Sequence, residues 1–349
     1  MTLLLKLIKV TGKTLAALLS VIVVCYIALL LINFQDEAPS EAAITMQALQ
    51  QIPEHDPDNN GYLYFVRTDN AAKYQLSEPF EQLMRQCAST DCNAALMAQP
   101  ELVALVAQHQ ELSDFYRQVR SFNHWYEPIP TDATQALPSF RSLLNGQKLL
   151  LVQAWLAAQQ QDVATVRQLL QQDLQFWRDL LRKNKLLINK IVSTAAIQSH
   201  FNFATTIKQQ LAEQHHTAMQ PQSWLIPFTA EELSLLQVLS GEWVYGNMIT
   251  ESLILTAPAA SENTFSEQAT WLLLEPLFQP QASSNQRASW LLAYSNGEPT
   301  ADLPWYSWLY NPVGKILNNL GEVSFSNYQI RLNELEQARK QAISQPVKA

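Results

Sequence analysis

Residues 14–35 carry no charge, and their centre, Leu15 to Ile32, is almost wholly apolar. An α-helix rises ~1.5 Å per residue, so about 20 residues cross a hydrocarbon layer ~30 Å thick. Lipid offers the backbone no hydrogen-bond partner, which requires such a segment to be helical. Lys6, Lys9 and Lys13 precede it, no acid occurs before Asp36, and Asp36, Glu37 and Glu41 follow it. Basic residues stay preferentially on the cytoplasmic side. The expected organisation is a cytoplasmic tail at 1–13, a transmembrane anchor at 14–35 and an exported part at 36–349. A cleavable signal peptide is the competing reading. It would have a shorter apolar core, about 7–15 residues, and a small-x-small cleavage site. Here the core is longer, and a proline spoils the nearest match, Ala38-Pro39-Ser40. Cys25, inside the span, is expected to be a buried, inert thiol rather than a lipid attachment point.

That orientation bears on charge and on the other cysteines. Without the three N-terminal lysines, 20 of the 23 basic residues remain against 31 acidic ones, a net charge of −11. Such a surface repels a phosphate backbone, so nucleic acid is not expected as a partner. Cys87 and Cys92 would lie in an oxidising compartment, where a nearby pair tends to bond. Bridging needs Cα atoms within about 7 Å, which a turn between two helices supplies. The spacing is not Cys-x-x-Cys, so a structural bridge is expected rather than a redox pair.

Glycine is scarce, 8 in 349 residues, where about 7% is usual. Long stretches consist of Ala, Leu, Gln and Glu, all good helix formers. The expected fold is therefore all-α, a multi-helix exported domain behind the anchor. Ser40 caps a short helix at 41–52, and Pro53 and Asp56 to Gly61 form turns. Tyr62 to Val66 is the one strand-like stretch, without an obvious partner strand. Helices are expected at 77–86, 93–108 and 111–126, ended by Pro128 and Pro130.

The strongest helical pattern covers 138–211, with Pro138 suited to a first turn. Asp162 reads as the N-cap of a second helix, in which Val166, Leu169, Leu170, Leu174, Trp177, Leu180 and Leu181 recur at spacings of three and four. The pair 147–161 and 163–181 resembles one tetratricopeptide-type hairpin, with Trp155, Ala158 and Asp162 at its large, small and turn positions. No second copy follows at a 34-residue period, so an array is not supported. Thr229 to Glu232 is a capping box flanked by Phe228 and Leu233 as staple, predicting one helix over 230–253. Thr264 to Glu267 repeats the box. Asn311-Pro312 starts a helix at 313–320. A last helix at 325–343 buries Tyr328, Leu332, Leu335 and Ala342 and exposes Arg331, Glu334, Arg339 and Lys340. The best loops are 257–263 and 281–285.

Candidates for chemistry are few. Glu54-His55-Asp56 and Glu213 with His215-His216 do not match His-Glu-x-x-His, in which two imidazoles share a helical face; no metal site and no cofactor are expected. No Gly-x-Ser-x-Gly elbow is present. His124 and Glu127, in the cluster His124-Trp125-Tyr126-Glu127, could serve as an acid–base pair in a pocket wall, although aromatics closing a helix more often belong to the core. Arg287, with the binding candidates Gln279 and Asn285, falls in a polar stretch whose groups must bond something. Trp305 and Trp308, in Trp305-Tyr306-Ser307-Trp308-Leu309-Tyr310, have three competing readings: core packing, contact with the outer membrane face, where Trp and Tyr concentrate, or a ligand platform. Arg178, Arg182, Lys183 and Lys185 form a basic run, either a solvated face or a dock for an anionic partner.

Asn60-Gly61-Tyr62-Leu63-Tyr64, the nearby cysteine pair, Gln279-Pro280 with Asn285, and Tyr310-Asn311-Pro312-Val313-Gly314-Lys315-Ile316-Leu317 together resemble an uncharacterised group of proteobacterial single-span inner-membrane proteins. Gln281 departs from that group's Gln-Pro-Asn-Ala-Thr-x-Asn. The resemblance implies an inner-membrane anchor with a periplasmic domain, and no activity. The functional expectation is a non-enzymatic interaction or envelope-support protein with an envelope protein as partner. The alternative is an envelope hydrolase or small-ligand binder with an aromatic cleft near 124–127 or 279–287.

Overall fold

The computed structural model describes residues 2–54, 56–70, 72–89, 91–132, 138–255, 265–298, 303–321 and 325–344, with side chains from Thr11 onward except those of Leu255 and 265–267. Among these residues every regular element is helical, and the β-type pairing is limited to one isolated bridge, Asn60 to His124. Two compact units emerge. An anchor unit comprises Met1–Leu49, Pro130–Ala133 and Trp243–Val323; a core unit comprises Gln50–Ile129, Thr134–Glu242 and Ser324–Ala349. One of the boundaries, between Glu242 and Trp243, falls inside the helix Leu236–Leu255, where no linker composition announces it.

In the core unit the helices Arg141–Gln159, Val163–Lys183 and Leu187–Lys208 pack consecutively, and Ser326–Ser344 lies against the third. The three- and four-residue spacing of Val166, Leu170, Leu174, Trp177 and Leu181 puts them on one face, and all are buried. Trp155, Trp177 and Trp224 are fully buried. Each withdraws on the order of 200 Å² from water, about 5 kcal/mol before entropy is counted. At the expected hairpin turn Gln161 has φ of 57°, and the Asp162 side chain accepts the Thr165 N–H at 3.1 Å. The helix Gln110–Arg120 closes on Gly146, where an added Cβ would stand 2.5 Å from the Tyr116 Cβ.

Several local expectations are corrected. Tyr62 to Val66 is not a strand but part of the helix Gly61–Thr68: Asn60 accepts the Tyr62 N–H at 3.1 Å, and Tyr62 and Phe65, three apart, are both buried. The 93–108 helix breaks around Pro100 into Cys92–Met97 and Leu102–Ala107, and the 111–126 helix ends at Arg120. Pro138 stands ahead of its helix, which begins at Arg141. The capping box at Thr229 forms in full, but its helix is only Ala230–Leu233. Ser234 turns extended, and its Oγ then accepts the Leu236 N–H at 3.1 Å to start a new helix. Arg339 is buried rather than exposed, its guanidinium bonded to Glu336 and to the Trp224 carbonyl. His55, the loop at 257–263 and the Thr264 capping box lie outside the described residues.

Cys87 closes a helix, Glu78–Ser89, and Cys92 opens the next; the two form a disulfide across the turn between them.

In the anchor unit the helix Thr2–Ile32 contains one stretch, Thr11–Ile32, long and apolar enough to cross a membrane or to serve as a signal sequence. Tyr26, Leu29 and Leu30, near its end, pack against the buried cluster Leu277, Phe278 and Val313. The helices Glu41–Leu49 and Pro280–Ser295 pack together.

Candidate functional site

The polar candidates Gln279 and Asn285 do not form a loop. Residues 280–285 are the opening turns of the helix Pro280–Ser295, with Pro280 at its first position, where a missing N–H costs nothing. Their side chains converge on the segment that leaves the anchor helix. Gln279 Nε2 donates to the Asn33 carbonyl at 2.6 Å. The Asp36 carboxylate accepts the N–H groups of Gln281 and Ala282 at 2.7 and 3.0 Å, a negative charge where the helix N-terminus favours one. Asn285 Nδ2 donates to Glu37 Oε2 and to the Ala38 carbonyl, both at 2.9 Å, and its Oδ1 accepts the Ser40 N–H.

Asn311 completes this collar. It adopts φ of 50°, a left-handed conformation that asparagine tolerates better than most residues. Its N–H donates to Asn33 Oδ1 at 2.6 Å; its Oδ1 accepts the N–H groups of Gln279 and Gly314; its Nδ2 donates to Ser283. Gly314 is required here, because a Cβ would stand 1.9 Å from Ser283 Oγ. Asn33 Nδ2 donates to the Leu309 carbonyl, and the Tyr310 hydroxyl donates to the Gln35 carbonyl. Burial, with Asp36 and Glu37 nearby, pushes the Tyr310 phenol up to about 12, so it remains a donor.

The aromatic run at 305–310 is not core. Trp305–Leu309 is a 3-10 turn with Trp305 80% and Tyr306 61% exposed, while Trp308 is half-buried. Arg287, in the same unit, donates to Asn247 and Thr250, and burial lowers its pKa.

A second cluster lies in the core unit around His124. The imidazole stacks on Tyr126 and lines a pocket of about 390 Å³. Arg117, Arg120, Lys183 and Gln172 also line it, with Asp179 as its acid. The Arg120 guanidinium lies 4.7 Å from the Tyr116 ring centroid, and its buried Nε–H has no hydrogen-bond partner among the described residues. Burial, reinforced by Arg182 and opposed by Asp179, lowers the pKa of Lys183. Of the basic run only Lys183 meets His124 here, beside Arg117 and Arg120; Arg178 pairs with Glu232 and Arg182 with Asp179. Glu127 does not open into it. The carboxyl is buried, accepting from the Trp125 indole at 3.0 Å and from the Lys185 N–H at 2.9 Å. Burial raises its pKa despite those donors.

Composition gave no hint of a third arrangement. Asp173 and His200 form a buried pair at 2.8 Å. Tyr116 and Gln147 also donate to Asp173, at 2.8 and 3.0 Å, and the Trp224 indole donates to His200 Nε2 at 2.8 Å. An indole N–H only donates, so Nε2 accepts and the His200 Nδ1–H donates a hydrogen bond to Asp173. The pair resembles the base–orienter half of a catalytic triad, but its second nitrogen faces Trp224 and both residues are wholly buried. The helical spacing could have placed both side chains inside; nothing local pairs them.

The chain matches no protein-family model, no curated protein and no solved structure.

Proposed function

We propose that the protein is a single-span inner-membrane protein with its N-terminus in the cytoplasm and residues 36–349 in the periplasm, acting as a non-enzymatic interaction protein. The collar around Asn33 carries this reading. A cleaved leader would abandon the contacts of Tyr26, Leu29, Leu30 and Asn33 with the rest of the anchor unit, and a mere tether needs no bonded exit. The Cys87–Cys92 bridge fits an oxidising space. Two of the catalytic candidates are engaged within their own units: the Glu127 carboxyl is buried and accepts the Lys185 N–H, and Arg287 donates to Asn247. The contact point is the basic pocket, which suits an acidic segment of an envelope partner, given the guanidinium and ammonium groups of Arg117, Arg120 and Lys183.

Two experiments test this. An alkaline-phosphatase fusion after residue 60 is expected to be active; an inactive fusion beside an active cytoplasmic reporter rejects the orientation. A photo-crosslinker at Gln175, on the pocket rim, is expected to capture a specific envelope protein in cells. Arg120→Glu with Lys183→Glu should abolish that adduct while the melting temperature holds. No adduct, or one indifferent to charge reversal, rejects the pocket as the contact.

A further inference from the structure

Seven residues separate Tyr26 from Asn33, so in a helix Tyr26 lies ~10 Å further into the membrane than the collar. Two hydrogen bonds lay another part of the chain along that same stretch. Gln279 Nε2 reaches the Asn33 carbonyl, and the Tyr26 hydroxyl donates to the Leu273 carbonyl at 3.0 Å. Between these points Leu277 and Phe278 pack on Tyr26, Leu29 and Leu30, joined by Ile254. Residues 273–279 therefore track the last two turns of the anchor, and any layer that surrounds Tyr26 surrounds Leu273 too.

The chemistry of the segment fits that layer. Leu272, Leu273 and Leu274 are 61, 53 and 41% exposed, and Leu253 on the neighbouring helix is 63% exposed. No lysine or arginine occurs between Met248 and Gln286. The backbone is helical over Phe265–Leu274 and 3-10 over Glu275–Leu277, so its polar groups are satisfied from within, as lipid demands. The Trp271 indole donates to the Ile254 carbonyl at 2.7 Å. Within 271–278 the acid is Glu275, half-buried and nearer the exit than Leu273; Glu267 lies in the first turn of the Phe265–Leu274 helix and Glu251 is exposed four residues before the end of the neighbouring one. At the exit itself the exposed apolar side chains change from leucine to Trp305 and Tyr306, in the turn that ends at the Leu309 carbonyl Asn33 holds. Leucine below and Trp/Tyr at the collar is the order of a bilayer from hydrocarbon to headgroup.

We infer that residues 271–278, with the end of the Leu236–Leu255 helix, are inserted beside the anchor in the outer leaflet, and that Trp305 and Tyr306 rest at headgroup level. The partner of this surface is lipid. The inference rests on the reading of Thr11–Ile32 as a retained span.

The test uses the full chain with Cys25→Ala, in phosphatidylethanolamine–phosphatidylglycerol vesicles, carrying one new cysteine at a time. A thiol in hydrocarbon stays protonated and reacts poorly with a water-soluble maleimide. Leu272→Cys and Leu253→Cys are expected to label on the order of tenfold more slowly than Glu298→Cys, and to label fully after detergent unfolding. Leu19→Cys, at the middle of the anchor, should stay silent. If Leu272→Cys and Leu253→Cys label as fast as Glu298→Cys while Leu19→Cys is silent, the insertion is overturned and the anchor stands. If Leu19→Cys also labels, the retained span itself fails and the insertion with it.

Discussion

In the core unit Asp173 accepts from Tyr116, Gln147 and His200, all side chains, inside a shell of leucines and tryptophans. In the anchor unit Asn33, Gln279, Asn285 and Asn311 bond mostly backbone amides and carbonyls of the segments they join, while leucines and tryptophan face outward. The first arrangement specifies which helices share a core. The second fixes where the apolar helix Thr2–Ile32 ends and leaves apolar side chains exposed around it. Removing a polar group should accordingly be costly in the first unit and milder in the second.

The sharpest way to break that contrast is Asp173→Ala. Three buried donors lose their acceptor in a site closed to water, and the expected loss is about 3–5 kcal/mol of stability by denaturant titration. A loss near 1 kcal/mol would mean that water reaches the site. Arg178→Ala belongs to the same class. Arg178 pairs with buried Glu232 at 2.7 Å, donates to the carbonyls of Ser223, Ile226 and Pro227, and covers the Phe228 ring.

Lys190 supplies a pH-dependent version. Its ammonium donates to the carbonyls of Leu181 and Glu232 at 2.6 and 2.8 Å, and burial, opposed by Glu232 and Glu231, lowers its pKa from 10.5 to about 8. Between those values the unfolded chain binds the proton and the folded chain releases it, so stability rises with pH, by up to about 3 kcal/mol from this group. Below pH 8 both states are protonated and the contribution is flat. Comparing wild type with Lys190→Met between pH 8 and 10.5 isolates this slope; parallel curves would refute the assignment.

The collar comes next. Asn33→Ala removes an acceptor for the Asn311 N–H and a donor to the Leu309 carbonyl, with an expected cost of about 1–2 kcal/mol. Its clearer readout is local: faster amide exchange at Asn311 and Gly314 with the core unit unchanged. Equal exchange in both units would mean that they unfold together and that the contrast is one of composition alone.

What the sequence made legible follows the same division between near and far. The Asp162 cap, the Thr229 box and the Asn311-Pro312 start are written within three or four residues, and each forms. The strand-like Tyr62 to Val66 became a helix because Asn60 caps it while holding residue 126, 66 positions away. Asn285 read as a loop because its partners, Ala38 and Ser40, lie about 245 positions earlier. The break at Ser234 had a local signal, since serine is a strong N-cap, but a continuous apolar pattern on both sides outweighed it. The pocket at His124 needed Lys183 from another helix, a pairing that no local spacing expresses.

The smallest folding effect is expected where the apolar surface is largest. Trp305→Ala removes an 80% exposed ring whose ring contact is with Tyr306, itself exposed, so the melting temperature in detergent should hold within the range of about 0.5 kcal/mol usual for surface changes. The same ring, if it rests among headgroups, contributes to how the chain sits in lipid. Trp305 fluorescence, taken as the difference between wild type and Trp305→Ala, should be quenched more by a shallow headgroup-linked quencher than by a mid-chain one. Leu272→Trp, offered to the same two quenchers, should reverse that order. A ring quenched only from the aqueous phase would return Trp305 to the platform reading, and the two units would then differ in packing but not in solvent.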